Sequence, residues 1–192
     1  CENASDAPVQ QGCVGAGTGA RIGAMLGNDR ASKGGIGSAS IELENGVIVA
    51  ALMAVNAVGD VLDESGDILA GVRTESDDGF MGMLNVMTDL LPAGLPLSER
   101  ENTVIGIVAT NAKLTKSHTH KVSQMAHDGI ARAVNPSHTM FDGDTIFAVA
   151  TGEVPANVTV VGAYAAEVVA QAIRNGVREA TSLGGVRAIR DM

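Results

Sequence analysis

Aromatic side chains are almost missing from this sequence: three Phe, one Tyr and no Trp stand among 192 residues. So few rings cannot make a stacking platform for bases, which excludes that mode of single-strand binding. Positive charge is short as well, with 13 Lys and Arg against 22 Asp and Glu and a net charge of −9. An acidic surface repels phosphate backbones and anionic headgroups, so no nucleic-acid and no membrane partner is expected. The longest apolar run, Val47 to Val55, covers nine residues, against the roughly 20 that a membrane-spanning helix needs. Two cysteines, Cys1 and Cys13, build no disulfide framework. No basic segment followed by an apolar one opens the chain, so no secretory signal is expected and a cytoplasmic location is the default reading.

What remains is aliphatic and small. Hydrophobic residues make up 45% and glycine fills 24 positions, so a core of Ala, Val, Ile, Leu and Met in a single domain over 1–192 is expected. Ser38 to Leu43 alternates polar and apolar, Asn45-Gly46 follows, and Val47 to Val55 comes next. Asn-Gly between two such runs predicts a hairpin. The second run is apolar on both faces, which predicts a central strand covered on both sides. From Leu62 to Glu101 runs a Gly-rich, acidic stretch, a length that marks a functional or flexible connection. Its patch Phe80-Met81-Gly82-Met83-Leu84 predicts a short helix through Asp89. Thr103 to Thr110 and Thr145 to Ala150 read as further buried strands. Val122, Met125, Ala126, Gly129, Ile130 and Ala133 trace one amphipathic helix, stopped at Asn135-Pro136, and Ala165 to Ala180 traces another. Together these elements predict an α/β (α+β) domain, a mostly antiparallel sheet covered by helices.

Several residues could carry chemistry. Asn102-Thr103 joins a polar, Pro-containing linker to a buried strand. A threonine hydroxyl is a poor nucleophile unless a base adjoins it, and a cut before Thr103 would supply one as its own α-amine. Alone, this dipeptide reads as a strand opening on a β-branched residue. Asp142-Gly143-Asp144 places two carboxylates two positions apart, where repulsion raises one pKa; an Asp-Gly turn is the simpler account. Lys33 precedes the glycines of Gly34-Gly35-Ile36-Gly37, as a ligand-facing or merely solvated cation. Asn56 ends a buried strand, so its amide is an oxyanion donor or a satisfied core amide. Gly15-Ala16-Gly17-Thr18-Gly19 lacks the preceding strand and later acid of a dinucleotide site, and no Gly-Lys-Ser/Thr makes it a P-loop. The four histidines read as solvated helix residues rather than metal ligands, and Cys1 as structural. No cofactor or metal is expected.

Taken in order, five blocks carry a resemblance. They are Val14-Gly15-Ala16-Gly17-Thr18-Gly19, Lys33 to Ser40, Val55-Asn56-Ala57-Val58-Gly59-Asp60, Asn102 to Asn111, and His138-Thr139 with Asp142 to Ala148. The sequence resembles the self-processing L-aminopeptidase/D-Ala-esterase/amidase family, which includes β-aminopeptidases and nylon-oligomer (6-aminohexanoate-oligomer) hydrolases. The resemblance spans essentially the whole chain. It implies a four-layer αββα sandwich of the N-terminal-nucleophile type, and self-cleavage into associated subunits, 1–102 and 103–192. It implies Thr103 as nucleophile, Asn102 before the cut, Asp142 and Asp144 as the assisting pair, and Lys33 and Asn56 near the scissile carbonyl. A homo-oligomer, a tetramer in the family, is implied as well. Many members carry Gly-Ser at the cut and Ser-Gly-Glu at the later block. Asn-Thr and Asp-Gly-Asp stand here instead, a combination similar to the nylon-oligomer hydrolases. That points to small linear amides or peptides as substrate. Members also carry a segment before the Gly-rich block, and Cys1-Glu2-Asn3-Ala4 reads as mid-helix. The chain is therefore expected to be the C-terminal part of a longer protein. An acyltransferase of the ornithine acetyltransferase type and a non-catalytic binding or assembly domain remain the alternatives.

Overall fold

A computed structural model describes residue 5, residues 7–90 and residues 102–192. Cys1, the stretch read as mid-helix, and residues 91–101 at the end of the linker lie outside the described residues.

The Gly-rich block forms a 3-10 turn, Gly15–Gly19, rather than a strand-to-helix loop. A side chain at Gly17 would collide with the backbones of Gly12 and Ile36, so glycine there serves close chain approach. Next comes a short antiparallel pair, β1 (Arg21–Ile22) and β2 (Ser32–Lys33). The expected hairpin follows as β3 (Ile36–Glu42) and β4 (Ile48–Asn56), with Gly46 at φ +78° in its turn. Then come β5 (Asp60–Leu62), β6 (Ile68–Ala70) and the short helix α1 (Met83–Leu90), so the described part of the long connection holds secondary structure of its own. After them stand β7 (Thr103–Lys113), α2 (Lys116–Ala133), β8 (Val134–Asn135), β9 (Thr145–Pro155) and α3 (Val158–Arg178). Thr115 and Asn157 cap the two long helices by accepting from His118 N–H and Thr159 N–H.

The main sheet has the order β3-β4-β7-β9. Its first two pairings are antiparallel and the last, β7 with β9, is parallel. A parallel neighbour needs a long crossover, and α2 supplies it. One face is sealed by the helices: Val49, Met53 and Val55 of β4 share a buried cluster with Val169 and Ile173 of α3. The opposite face carries Ile105, Ile107, Phe147 and Val149, at 39% to 59% exposure. The double coverage expected for β4 is thus met on one face within the described residues, because the two long helices α2 and α3 both lie on that side. Among the described residues no helix is long and apolar enough to cross a membrane.

α3 sits on β3 through glycine. A Cβ at Gly37 would collide with the backbone of Ala172 and Gly176, and one at Gly176 would stand 3.0 Å from the Gly35 carbonyl oxygen. Gly37→Ala should therefore cost about 1–3 kcal/mol of stability through overpacking. Denaturant melting would show it as a lower midpoint with the circular dichroism spectrum of the folded state retained.

Candidate active site

The register of the main sheet assembles the site. In the antiparallel β4–β7 pair Asn56 stands directly opposite Thr103. Their neighbours Val55 and Val104 are buried under the helices, so alternation turns Asn56 and Thr103 to the opposite face. The parallel β7–β9 pairing draws the loop before β9 to the start of β7, where Asn102 bridges Asp142. The Asn102 carbonyl oxygen accepts the Thr103 hydroxyl at 2.7 Å and the Gly143 N–H at 3.0 Å. A Cβ on Gly143 would stand 2.9 Å from Thr103 Oγ1. Glycine is what lets that loop reach the hydroxyl.

Each carboxylate of Asp142-Gly143-Asp144 is held separately. Asp142 Oδ2 accepts the Thr139 N–H at 2.9 Å and the Thr139 hydroxyl at 2.7 Å. Asp144 Oδ1 accepts the Val104 N–H at 2.9 Å, and its Oδ2 lies 3.1 Å from His138 Nδ1. Burial pushes the Asp144 carboxyl above the usual carboxylate range. The charge of Asp142 adds to the rise, while the Val104 N–H and His138 oppose it. The repulsion expected between the two acids is present, but burial is the larger cause.

Asn56 Oδ1 accepts the Arg21 N–H at 3.0 Å. That bond fixes the amide so that its NH2 is the end left to donate. Lys33 is 1% exposed. Its Nζ donates to the carbonyls of Gly17 and Ala20 at 2.8 Å each and of Gly34 at 2.9 Å. These bonds use all three ammonium protons. Burial lowers the Lys33 pKa, with the Cys13 side chain opposing. The Ala20 carbonyl that Lys33 holds and the Arg21 N–H that Asn56 accepts belong to one peptide group. The structure thus brings together Thr103, Asn102, Asn56, Asp142 and Asp144, and connects Lys33 to them at one remove.

Sequence reasoning assigned no role in the site to four contributors to this geometry: Gly143, Thr139, His138 and the backbone of Arg21. His118 and His120 are exposed on α2, as expected of solvated residues. His138 is not on a helix, because α2 ends at Ala133, and it pairs with Asp144. The signal was available: Pro136 had already stopped the helix, and His138 stands only a few residues before the two acids.

The family model for peptidase family S58 matches residues 1–190. The chain belongs to peptidase family S58. An uncharacterized aminopeptidase of Mycobacterium leprae (strain TN) is 38% identical to this S58 chain over 204 residues, covering 94% of the chain and 52% of the relative. A 6-aminohexanoate-oligomer endohydrolase of Kocuria sp. (strain KY2) is 29% identical over 181 residues, covering 85% and 49%. The S58 chain spans about half the length of the curated relatives it matches. Among solved structures, a Burkholderia sp. beta-aminopeptidase superimposes with a TM-score of 0.63 at 26% identity, over 94% of this chain and 50% of its own. The L-aminopeptidase D-Ala-esterase/amidase of Ochrobactrum anthropi, a variant of the Ntn hydrolase fold, gives 0.65 at 23% identity, over 97% and 52%. The S58 chain therefore has the N-terminal-nucleophile hydrolase type of fold that the resemblance implied. Its described residues contain the main sheet and the helix layer on one face of it.

Proposed function

We propose that the protein is a self-processing N-terminal-nucleophile hydrolase that cleaves amide bonds in small linear amides or peptides, with Thr103 as nucleophile. The observation that carries this reading is the Asn102 carbonyl, whose oxygen meets both the Thr103 hydroxyl and the Gly143 N–H. Membership of a peptidase family supports the reaction class. Relatives named aminopeptidase and 6-aminohexanoate-oligomer endohydrolase support the substrate class.

Self-cleavage starts when Thr103 Oγ1 attacks the Asn102 carbonyl carbon. The Gly143 N–H takes the charge that develops on the oxygen. The Asn102–Thr103 C–N bond breaks, the acyl group passes to Oγ1, and the hydroxyl proton ends on the nitrogen, which becomes the Thr103 α-amine. Water then hydrolyses the ester and frees the hydroxyl. The pieces 1–102 and 103–192 stay joined, because the β4–β7 ladder from Val49 to Asn56 crosses the cut.

In the cleaved protein the α-amine takes the hydroxyl proton as Oγ1 attacks a substrate amide. An ordinary α-amine, with a pKa of about 7.7–8.0, suits that work near neutrality. Asn56 NH2, across the strand pair, donates to the substrate oxyanion. Lys33 secures that donor through the Ala20–Arg21 peptide rather than by touching the substrate. Asp142 and Asp144 hold the amine in attack geometry, Asp144 from its bond to the neighbouring Val104 N–H.

Denaturing mass spectrometry of the purified protein should show a piece spanning residues 103–192 that begins with Thr103. A single uncut chain that nevertheless hydrolyses amides after long incubation would overturn the N-terminal-nucleophile reading.

A further inference from the structure

Asp144 is nearly sealed from solvent, at 3% side-chain exposure, yet one of its oxygens meets a side chain that is 40% exposed. That side chain is His138, with Nδ1 3.1 Å from Asp144 Oδ2. The other oxygen takes the Val104 N–H, the residue next to Thr103. His138 reaches its place with a backbone φ of +55°. Few non-glycine residues hold that left-handed conformation, and His, Asn and Asp do so most readily. A residue kept there by its surroundings marks a local constraint. From α2, the His127 ring closes on it, with centroids 5.1 Å apart and planes tilted by 50°.

We propose that His138 is a positioning residue: its imidazole holds the Asp144 carboxylate in the orientation that meets Val104 beside Thr103, and a positive charge on the ring favours the carboxylate over the acid. The inference rests on the reading of Thr103 as nucleophile and Asp144 as its partner. An imidazolium at hydrogen-bond distance favours the carboxylate anion, whereas burial and a second acid oppose it. Among the described residues, Asp142 faces the pair from the same loop. His127 faces it from α2, with the charge of Asp128 acting in turn on His127. Burial, and then the charge of His138, hold His127 below the ordinary histidine range. His127 packs against the pair from α2.

The test is His138→Asn, which suits the left-handed backbone and removes the titrating ring. With the ring's charge gone and the Val104 N–H left to oppose burial and Asp142, Asp144 should protonate at higher pH. The acid limb of the kcat profile should therefore move up by about one pH unit. At the optimum, kcat should fall by about tenfold or more with KM held within about twofold, the pattern of lost transition-state geometry. A second readout needs no turnover: the Asp144 carboxyl titration followed by ¹³C NMR, its signal assigned by Asp144→Asn, should shift the same way. Superimposable acid limbs and titrations in wild type and His138→Asn would overturn the inference, even if kcat fell. A shifted titration in a protein that hydrolyses no amide would leave the His138–Asp144 coupling standing and sink the proposed function instead.

Discussion

Thr103→Ala is expected to abolish both chain cleavage and amide hydrolysis, whereas Thr103→Ser keeps a measurable part of each. Alanine has no atom to attack the Asn102 carbonyl, which the Thr103 hydroxyl now meets at 2.7 Å. Without the cut, no α-amine forms to act as base. Loss of an attacking hydroxyl in hydrolases of the serine type costs on the order of 10⁶-fold in turnover. Serine retains the oxygen but loses the methyl that restricts χ1, so its hydroxyl spends less time aimed at the carbonyl. Thr103 opens β7 and is only half-buried, so neither change should unfold the sheet. Intact mass and hydrolysis of a short linear amide oligomer read the two effects on one sample. Hydrolysis at the wild-type rate by Thr103→Ala would remove the residue from the mechanism.

The second large effect is expected at Asp144, where chemistry and stability should move in opposite directions. Removing a group that assists proton transfer costs about 10²–10⁴-fold in rate. Asp144→Asn should therefore lose turnover on that scale, measured per cleaved chain so that failed processing does not imitate failed catalysis. The stability sign follows from the raised carboxyl pKa, whose largest cause is burial. A carboxyl raised above its unfolded value favours folding below that unfolded value. The contribution is lost as pH rises through the folded value, so at pH 7 the buried anion weighs against the fold. Asparagine can still accept the Val104 N–H without carrying charge. Asp144→Asn should thus melt at pH 7 no lower than wild type, a trade of activity against stability. Asp142→Asn, whose carboxylate is bound by Thr139, should lose turnover as well. Near-wild-type turnover in both variants would leave Asp142-Gly143-Asp144 as a turn and return the base role to the α-amine alone.

Much of this architecture is written locally. Asn45-Gly46 between two strand patterns signals the β3–β4 hairpin, because a short turn ending on a glycine of positive φ and period-2 alternation concern near neighbours only. The stripes from Val122 to Ala133 and from Ala165 to Ala180 suffice for α2 and α3 for the same reason. The candidate residues were also legible by type. Thr103 at a strand opening, Asn56 at a strand end and two acids around Gly143 each suggest chemistry, and family blocks in order raise that suggestion well above a turn and a strand.

Tertiary structure decided how these residues meet. Nothing local says that β7 pairs antiparallel with β4 in the register that sets Thr103 opposite Asn56, or that β9 joins it in parallel and lays Gly143 against the Asn102 carbonyl. Lys33, flanked by glycines, reads equally as solvated or buried. The fold encloses it and gives its protons to three carbonyls. His138 reads from the sequence as a solvated helix histidine, whereas the structure takes it off the helix, at a positive φ, and onto Asp144. Periodicity and turn chemistry act between near neighbours, so the sequence alone determines the hairpin, the helices and the residue types available for chemistry. Register, burial and the pairing of charges arise between distant segments, and only the packed structure settles those.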